Sequence, residues 1–235
     1  MFILDTPLTA QRFDEAVFTL VDWIGEGGSK RYVSLCTVYT MMLARRTPQV
    51  MRALEGAHMV VADGMPIVWV QRKKGHTEAD RIYGPDVLVA VCEQTSNSDL
   101  RHFFLGGLPG VAEKLADELT NRFPCLQIAG VYSPPINVVG NAPDPEVIDL
   151  LNNANADVIW VGLGSPKQDV WMSLYRPELD APLLIGIGAA FDFLSGTKRQ
   201  APIWMRRNGI EWLFRLVQEP RRLWRRYFVY NTLFI

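Results

Sequence analysis

Residues 102–123 read HFFLGGLPGVAEKLADELTNRF, and this stretch decides the fold. His102–Leu105 is a short, bulky run with the character of a strand. Gly106 and Gly107 end it, and from Pro109 to Phe123 the apolar residues return at helical spacing. A strand that turns through glycines straight into an amphipathic helix is half of a βαβ unit. Pro109 stands where the helix is expected to begin, an arrangement that aims free backbone N–H groups at an anion.

Outward from this unit the pattern repeats. Strands are expected at Tyr32–Cys36, His58–Ala62, Gln127–Tyr132, Val158–Val161 and Leu183–Ile187, with a further helical stretch at Asp144–Asn153. Several of these runs are apolar throughout rather than alternating, which marks strands covered on both faces. The expected fold is α/β: a Rossmann-like parallel sheet with helices on both faces, occupying residues 1–195. After Ser195-Gly196 the chain becomes rich in Trp and Arg, so residues 196–235 are expected to form a helical C-terminal appendage serving a membrane or an acceptor.

The 235 residues suffice for one sizeable core and little more. The net charge of -1 conceals an asymmetry, because nine basic residues face two acids between Lys198 and Arg226. That segment carries a local +7 and the remainder -8, which argues against a nucleic-acid binder and for an anionic partner at the C-terminal end. Cys36, Cys92 and Cys125 are odd in number and widely spaced, with no Cys/His cluster, so no structural zinc is expected and a reducing compartment fits. The opening MFILDTPL has no signal-peptide character, and the apolar stretch Ala181 to Phe191 is too short to cross a bilayer.

Three glycine-bearing turns are placed to approach phosphates: FLGGLPGV (104–111), GLGSP (162–166) and GIGAA (186–190). A dinucleotide fingerprint fails in the third, where Phe191 occupies the last glycine position, and no P-loop or DxD motif occurs. Glycine turns alone are weak evidence, since any α/β protein uses them. The series ADGMPIVW (62–69), RIYGPDV (81–87), FFLGGLPGVAEKLA (103–116), GVYSPP (130–135), VGLGSPKQDVWM (161–172) and GIGAAFDFLSGTKRQAPIWMRRNGIEWLFRL (186–216) is far more specific. In this order the segments resemble the WecG/TagA/CpsF glycosyltransferases, from about Val33 to Arg226.

The resemblance implies an inverting, metal-independent transferase without a cofactor. It would use a UDP-sugar donor and a polyprenyl-diphosphate-linked acceptor, in bacterial cell-surface polysaccharide synthesis. It would work as a cytoplasmic, peripheral protein on the inner face of the plasma membrane. The oligomeric state is left open, a homo-oligomer included. Asp63 matches the family's proposed general base, while its spacing from Pro66 also suits a helix N-cap. Gln168 matches a donor or acceptor contact and equally fits a capping box begun by Ser165 and Pro166. Arg81 matches a contact to the leaving diphosphate, against the ordinary alternative of a surface salt bridge.

Further substrate contacts expected within these motifs are Gly106, Gly107, Tyr132, Gly164, Asp192 and Arg215, and outside them Thr37 and the tail residues Arg221, Arg222 and Arg225. Thr37 departs from similar members, which often carry Asn there. Asp192 interrupts an apolar run and needs donors, from a turn at Ser195-Gly196 or from a uracil or ribose. On a regular helical wheel Arg221, Arg222, Arg225 and Arg226 share an arc of about 140° opposite Leu223, Trp224, Tyr227, Tyr230 and Phe234. Such a helix suits an anionic membrane surface, or plain docking on the core. Two other functions remain open on sequence: a nucleotide-binding scaffold at the membrane, and a nicotinamide oxidoreductase.

Overall fold

The structure is a computed structural model and describes residues 1–135 and 142–234. A two-residue antiparallel pair opens the chain, β1 (Phe2–Ile3) and β2 (Thr6–Pro7). There follow α1 (Phe13–Glu26), β3 (Arg31–Cys36), α2 (Val38–Ala44), α3 (Pro48–Glu55), β4 (Met59–Ala62), α4 (Met65–Lys73) and α5 (Gly84–Thr95). The second half continues with β5 (Arg101–Gly106), α6 (Val111–Arg122), β6 (Gln127–Tyr132), α7 (Pro145–Asn153), β7 (Val158–Gly162), α8 (Lys167–Tyr175) and β8 (Leu183–Gly186). Six strands form one sheet in the order β4-β3-β8-β7-β5-β6, and every neighbouring pair is parallel.

The apolar runs explain the layering. Along β3, Val33 and Leu35 join the core beneath α1 and α5, while Cys36 joins the cluster formed with α2 and α3. Along β7, Val158 and Trp160 take the first side and Ile159 and Val161 the other, against α7 and α8. Period-two side chains that are apolar on both faces demand helices on both faces. The Rossmann-like α/β architecture expected from sequence is therefore present, and the six expected strands appear within one residue of their bounds at each end.

The strand order places the ligand edge. β5 connects outward to β6, whereas β7 connects back toward β8, so the connections diverge between adjacent strands. A crevice opens at such a divergence, outside the carboxyl ends of the strands. The turns after β5, β7 and β8 meet there because glycines let them. Gly106 has φ +133°, and a Cβ on it would lie 2.5 Å from the Gly162 carbonyl carbon.

Two helix starts differ from expectation. α6 begins at Val111, not Pro109, because Pro109 and Gly110 form a turn that leaves Gly110 left-handed at the N-cap (φ +84°). α8 begins at Lys167 with Pro166 at the N-cap and no side-chain cap, so the Ser165 capping box does not form. Beyond β8 come α9 (Ala190–Leu194), α10 (Ile203–Arg207), α11 (Glu211–Gln218) and α12 (Pro220–Trp224). A π-helical stretch, Arg225–Asn231, leads into α13 (Thr232–Phe234). The regular wheel drawn for the tail does not hold across this stretch, because i→i+5 bonding widens the turn. Tyr230 accordingly stacks edge-on against Tyr39 of α2, and Tyr230 and Phe234 pack on the core rather than facing outward.

Gly106→Ala should cost about 2–3 kcal/mol in urea unfolding, since it combines backbone strain with a backbone clash. Gly110→Ala, whose Cβ would enter open space, should cost only the left-handed strain of about 1 kcal/mol. Equal losses would mean that the close approach of β5 and β7 contributes nothing.

Candidate active site

A cleft of about 350 Å³ lies at the carboxyl edge of the sheet, floored by Gly107, Gly162, Gly164, Gly186 and Gly188. The absence of side chains here has a direct use. A Cβ on Gly186 would come within 2.7 Å of Met172 Cε and 2.9 Å of Gln168 Nε2, so the glycine gives these two side chains room against the strand end. Gln168 is 1% exposed and its Oε1 has no hydrogen-bond partner among the described residues. A buried, unsatisfied carbonyl at a cleft wall calls for a donor from a ligand or water. Next to it, Asp169 is buried, accepts a 2.6 Å bond from Ser34 Oγ of β3, and is pushed up to about 6 by burial. That bond ties the start of α8 to β3 and so fixes where Gln168 points.

Asp63 follows β4 directly and borders both this cleft and a smaller chamber of about 90 Å³. The N-cap reading for it fails, because Gly64 is the N-cap of α4 and makes no side-chain bond. Instead Asp63 Oδ1 is buried without a hydrogen bond among the described residues, where its nearest cation is Arg81 Nη2 at 3.7 Å. Arg81 is held elsewhere. Its Nη1 lies 2.8 Å from Glu211 Oε2, its guanidinium sits 4.1 Å over the Tyr83 ring, and its Nε donates to the Asp63 backbone carbonyl at 3.4 Å. Tyr83 in turn donates to Glu211 Oε1 at 3.1 Å. Burial lifts the Asp63 carboxyl to about 7; Arg81 opposes the rise, Glu211 adds to it, and Arg215 and Arg226 pull it down. A carboxyl poised near neutrality at a cleft wall can take a proton from a hydroxyl.

The cleft is strongly positive, with Lys167, Lys198, Arg215, Arg222 and Arg226 on its walls against Asp63 and Asp192. Arg226 donates to Thr37 Oγ1 at 3.1 Å and lies over Tyr39. Thr37 is also the N-cap of α2, accepting from Thr40 N. Neither Arg215 nor Arg226 has a carboxylate within 4.0 Å among the described residues, so both are available to an anion. Asp192 binds Lys198 at 2.7 Å, Lys198 binds Glu219 at 3.3 Å, and Glu219 binds Arg222. This chain of charges fastens the tail to the cleft rim, and Lys198 is thus the main partner of Asp192.

Of the residues singled out in the sequence, Thr37, Asp63, Gly107, Gly164, Gln168, Asp192, Arg215 and Arg222 line the cleft together. Gly106 does not; its role is the contact with Gly162. Tyr132 packs against the core on the α7–α8 side of the sheet, because its strand β6 lies at the far edge. Arg81 lines only the smaller chamber, behind Asp63, with its charge engaged by Glu211. Arg221 is exposed and borders neither space, and Arg225 borders a separate groove beside Tyr39 and Ser165. The sequence reading missed Glu211, Lys198 and Asp169, and it placed Arg226 only on the anion-facing arc of the tail, not among the substrate contacts. An isolated acid in a basic tail was the one available signal for Glu211.

The Asp63 environment also predicts a stability signature. Between the unfolded value near 4 and the folded value of about 7, the native state holds a proton that the unfolded chain has released. Stability linked to this group therefore falls as pH rises across that window and is flat above it. Asp63→Asn should melt progressively higher than the parent as pH goes from about 4 to about 7, with a constant gap beyond. A gap independent of pH would mean that Asp63 is not perturbed.

The whole chain, residues 1–235, matches the family described as "Glycosyl transferase WecG/TagA/CpsF family". It is 30% identical over 184 residues to the N-acetylglucosaminyldiphosphoundecaprenol N-acetyl-beta-D-mannosaminyltransferase of Bacillus spizizenii (strain ATCC 23059 / NRRL B-14472 / W23), covering 78% of this chain and 69% of the relative. Against the protein of the same name from Bacillus subtilis (strain 168), it is 30% identical over 174 residues, 74% of this chain and 65% of the relative. With an α/β fold, a cationic cleft at its carboxyl edge and a match over its full length, the chain belongs to the WecG/TagA/CpsF family of glycosyltransferases.

Proposed function

We propose that this glycosyltransferase moves an N-acetylhexosamine or hexose from a UDP-sugar to a polyprenyl-diphosphate-linked sugar, with inversion and without a metal. The observation that carries the reading is Asp63, a near-neutral carboxyl standing between two cavities and ringed by arginines. The larger cavity, over the glycine turns, takes the donor. The smaller, walled by Tyr39, Met65, Trp212 and Tyr227, takes the acceptor sugar.

In the proposed reaction Asp63 accepts the proton of the acceptor hydroxyl as its oxygen attacks the anomeric carbon. The bond from that carbon to the diphosphate breaks on the opposite face, and UDP leaves with the electron pair. Arg215, Arg222 and Arg226 meet the charge that develops on the departing diphosphate. Fixed cations in a shielded cleft stabilise such charge without reorganising during the reaction, which is the task a divalent ion performs elsewhere. The names of the relatives, with an acceptor on diphosphoundecaprenol and a transferred N-acetylmannosamine, support the choice of substrates.

The appendage, residues 196–235, supports a membrane-surface location. Among the described residues no helix is long and apolar enough to cross a membrane. Yet α11 is inverted relative to a surface helix of a soluble protein: Glu211 is buried, whereas Trp212, Leu213 and Val217 are exposed. On a wheel these three span about 140° opposite Glu211 and Arg215. Ile203 and Trp204 of α10 are exposed as well. An anionic lipid surface on the cytoplasmic side suits this apolar face, because the acceptor is itself held there by its lipid.

Purified protein given a panel of UDP-sugars and a short-chain prenyl-diphosphate-linked N-acetylglucosamine should release UDP, with the rate unchanged in excess EDTA. Asp63→Asn should retain UDP binding by calorimetry and lose about a hundredfold or more in turnover. An unchanged turnover removes Asp63 as the base, and loss in EDTA restored by magnesium removes the metal-free mechanism.

Replacing Trp204, Trp212 and Val217 together with Ser should abolish sedimentation with anionic liposomes while leaving UDP affinity within about twofold. Full sedimentation by the triple variant would place the membrane contact elsewhere.

A further inference from the structure

The proposed mechanism uses Asp63 and the arginines but leaves Glu211 unexplained. Glu211 is a carboxylate buried to 5% exposure on a helix whose other face is apolar and exposed. A buried charge is costly unless something requires it. Its partners are specific: Arg81 Nη1 at 2.8 Å and the Tyr83 hydroxyl at 3.1 Å, with Gln200 Nε2 donating to the same hydroxyl at 3.1 Å. Arg81 has two carboxylates within reach, and it sits 0.9 Å closer to Glu211 than to Asp63, at 2.8 Å against 3.7 Å.

We infer that Glu211 is a positioning residue which holds Arg81 away from Asp63, so that docking of α11 leaves the base carboxylate without a full ion pair. This deepens the reading of Asp63 as the base and rests on it for its catalytic consequence. A carboxylate in a tight pair with arginine is a poor proton acceptor, because the guanidinium stabilises the ionised form. Diverting Arg81 to a second carboxylate restores basicity, while the same arginine still supplies a cation nearby for balance. The groups facing Asp63 come from several elements: Cys36 at the end of β3, Arg81 and Tyr83 before α5, Glu211 and Arg215 on α11, and Arg226 in the tail. Of these, Glu211 is the one carboxylate and the Cys36 thiol is held neutral by burial, so the negative influence on Asp63 is delivered by the appendage. A core whose appendage is not docked would let Arg81 close on Asp63 and would hold the base idle.

The test uses full-length Glu211→Gln and Glu211→Asp. The ionisation of Asp63 is followed by carbon-13 carboxyl NMR, with Asp63→Asn for assignment, alongside the pH dependence of kcat/KM. The parent midpoint and the acid limb should both lie near the value of about 7 set by the Asp63 surroundings. In Glu211→Gln both should move down by about one to two pH units, the usual effect of a newly formed ion pair. The plateau rate should then fall severalfold as the base weakens, and Glu211→Asp should restore most of the parent behaviour. Tyr83→Phe, which removes one hydrogen bond to Glu211, should shift the midpoint in the same direction by less, and it serves if Glu211→Gln does not fold.

An Asp63 midpoint that stays put in Glu211→Gln, or in Tyr83→Phe where that variant stands in for it, or a uniform loss of rate without a shift, overturns the inference and leaves Glu211 as packing. A midpoint that moves while the kcat/KM limb does not upholds the role of Glu211 toward Arg81 and defeats Asp63 as the base.

Discussion

The parallel pairing of all six strands is the constraint on which the rest of the molecule depends. Parallel neighbours need crossovers, and crossovers cover both faces of the sheet with helices. What remains uncovered is the edge where the strands end, so every turn after a strand is exposed to the same space. Gly106, Gly162 and Gly186 then determine how closely those turns converge. Where a side chain would strike the neighbouring strand or Gln168, the absence of one becomes the floor of the cleft.

On that floor the site is assembled from charge rather than from shape. The core contributes Asp63 and Asp192, and the C-terminal segment contributes Lys198, Arg215, Arg222 and Arg226. Neither set is comfortable alone. A group of arginines repels itself unless an anion is present, and a buried carboxylate needs a cation nearby. The Asp192–Lys198–Glu219–Arg222 chain and the Arg81–Glu211 pair offset part of this cost within the protein. Arg215 and Arg226 keep surplus positive charge on the cleft wall, where the proposed reaction puts the donor diphosphate.

The inversion of α11 follows from the same arrangement. Its inward face must reach Arg81, Tyr83 and the cleft, so it is polar, and its outward face carries the apolar residues that an ordinary surface helix would bury. The helix therefore joins two roles through its two faces: it supplies Glu211 to the interior and presents Trp212, Leu213 and Val217 to the surroundings.

The sequence by itself determined the layered sheet, its strands and its glycine turns, because these depend on residues close together in the chain. Apolar runs such as VIWV (158–161) ending in glycine admit few other folds. It also carried the ordered motifs that mark the family, and with them Asp63 and Gln168. The helix starts expected at Pro109 and, with Ser165 as cap, at Pro166 fall instead at Val111 and Lys167, because a local turn occupies the residues before each. Only the tertiary structure decided which charges meet. Tyr83 and Glu211 lie 128 positions apart, and no local pattern says that this acid, rather than Asp63, takes hold of Arg81. Of the four tail arginines, Arg222 and Arg226, one helical turn apart, line the cleft, whereas Arg221 and Arg225 do not, and the burial of Leu223 and the packing of Tyr230 against the core decide which side of the tail faces inward.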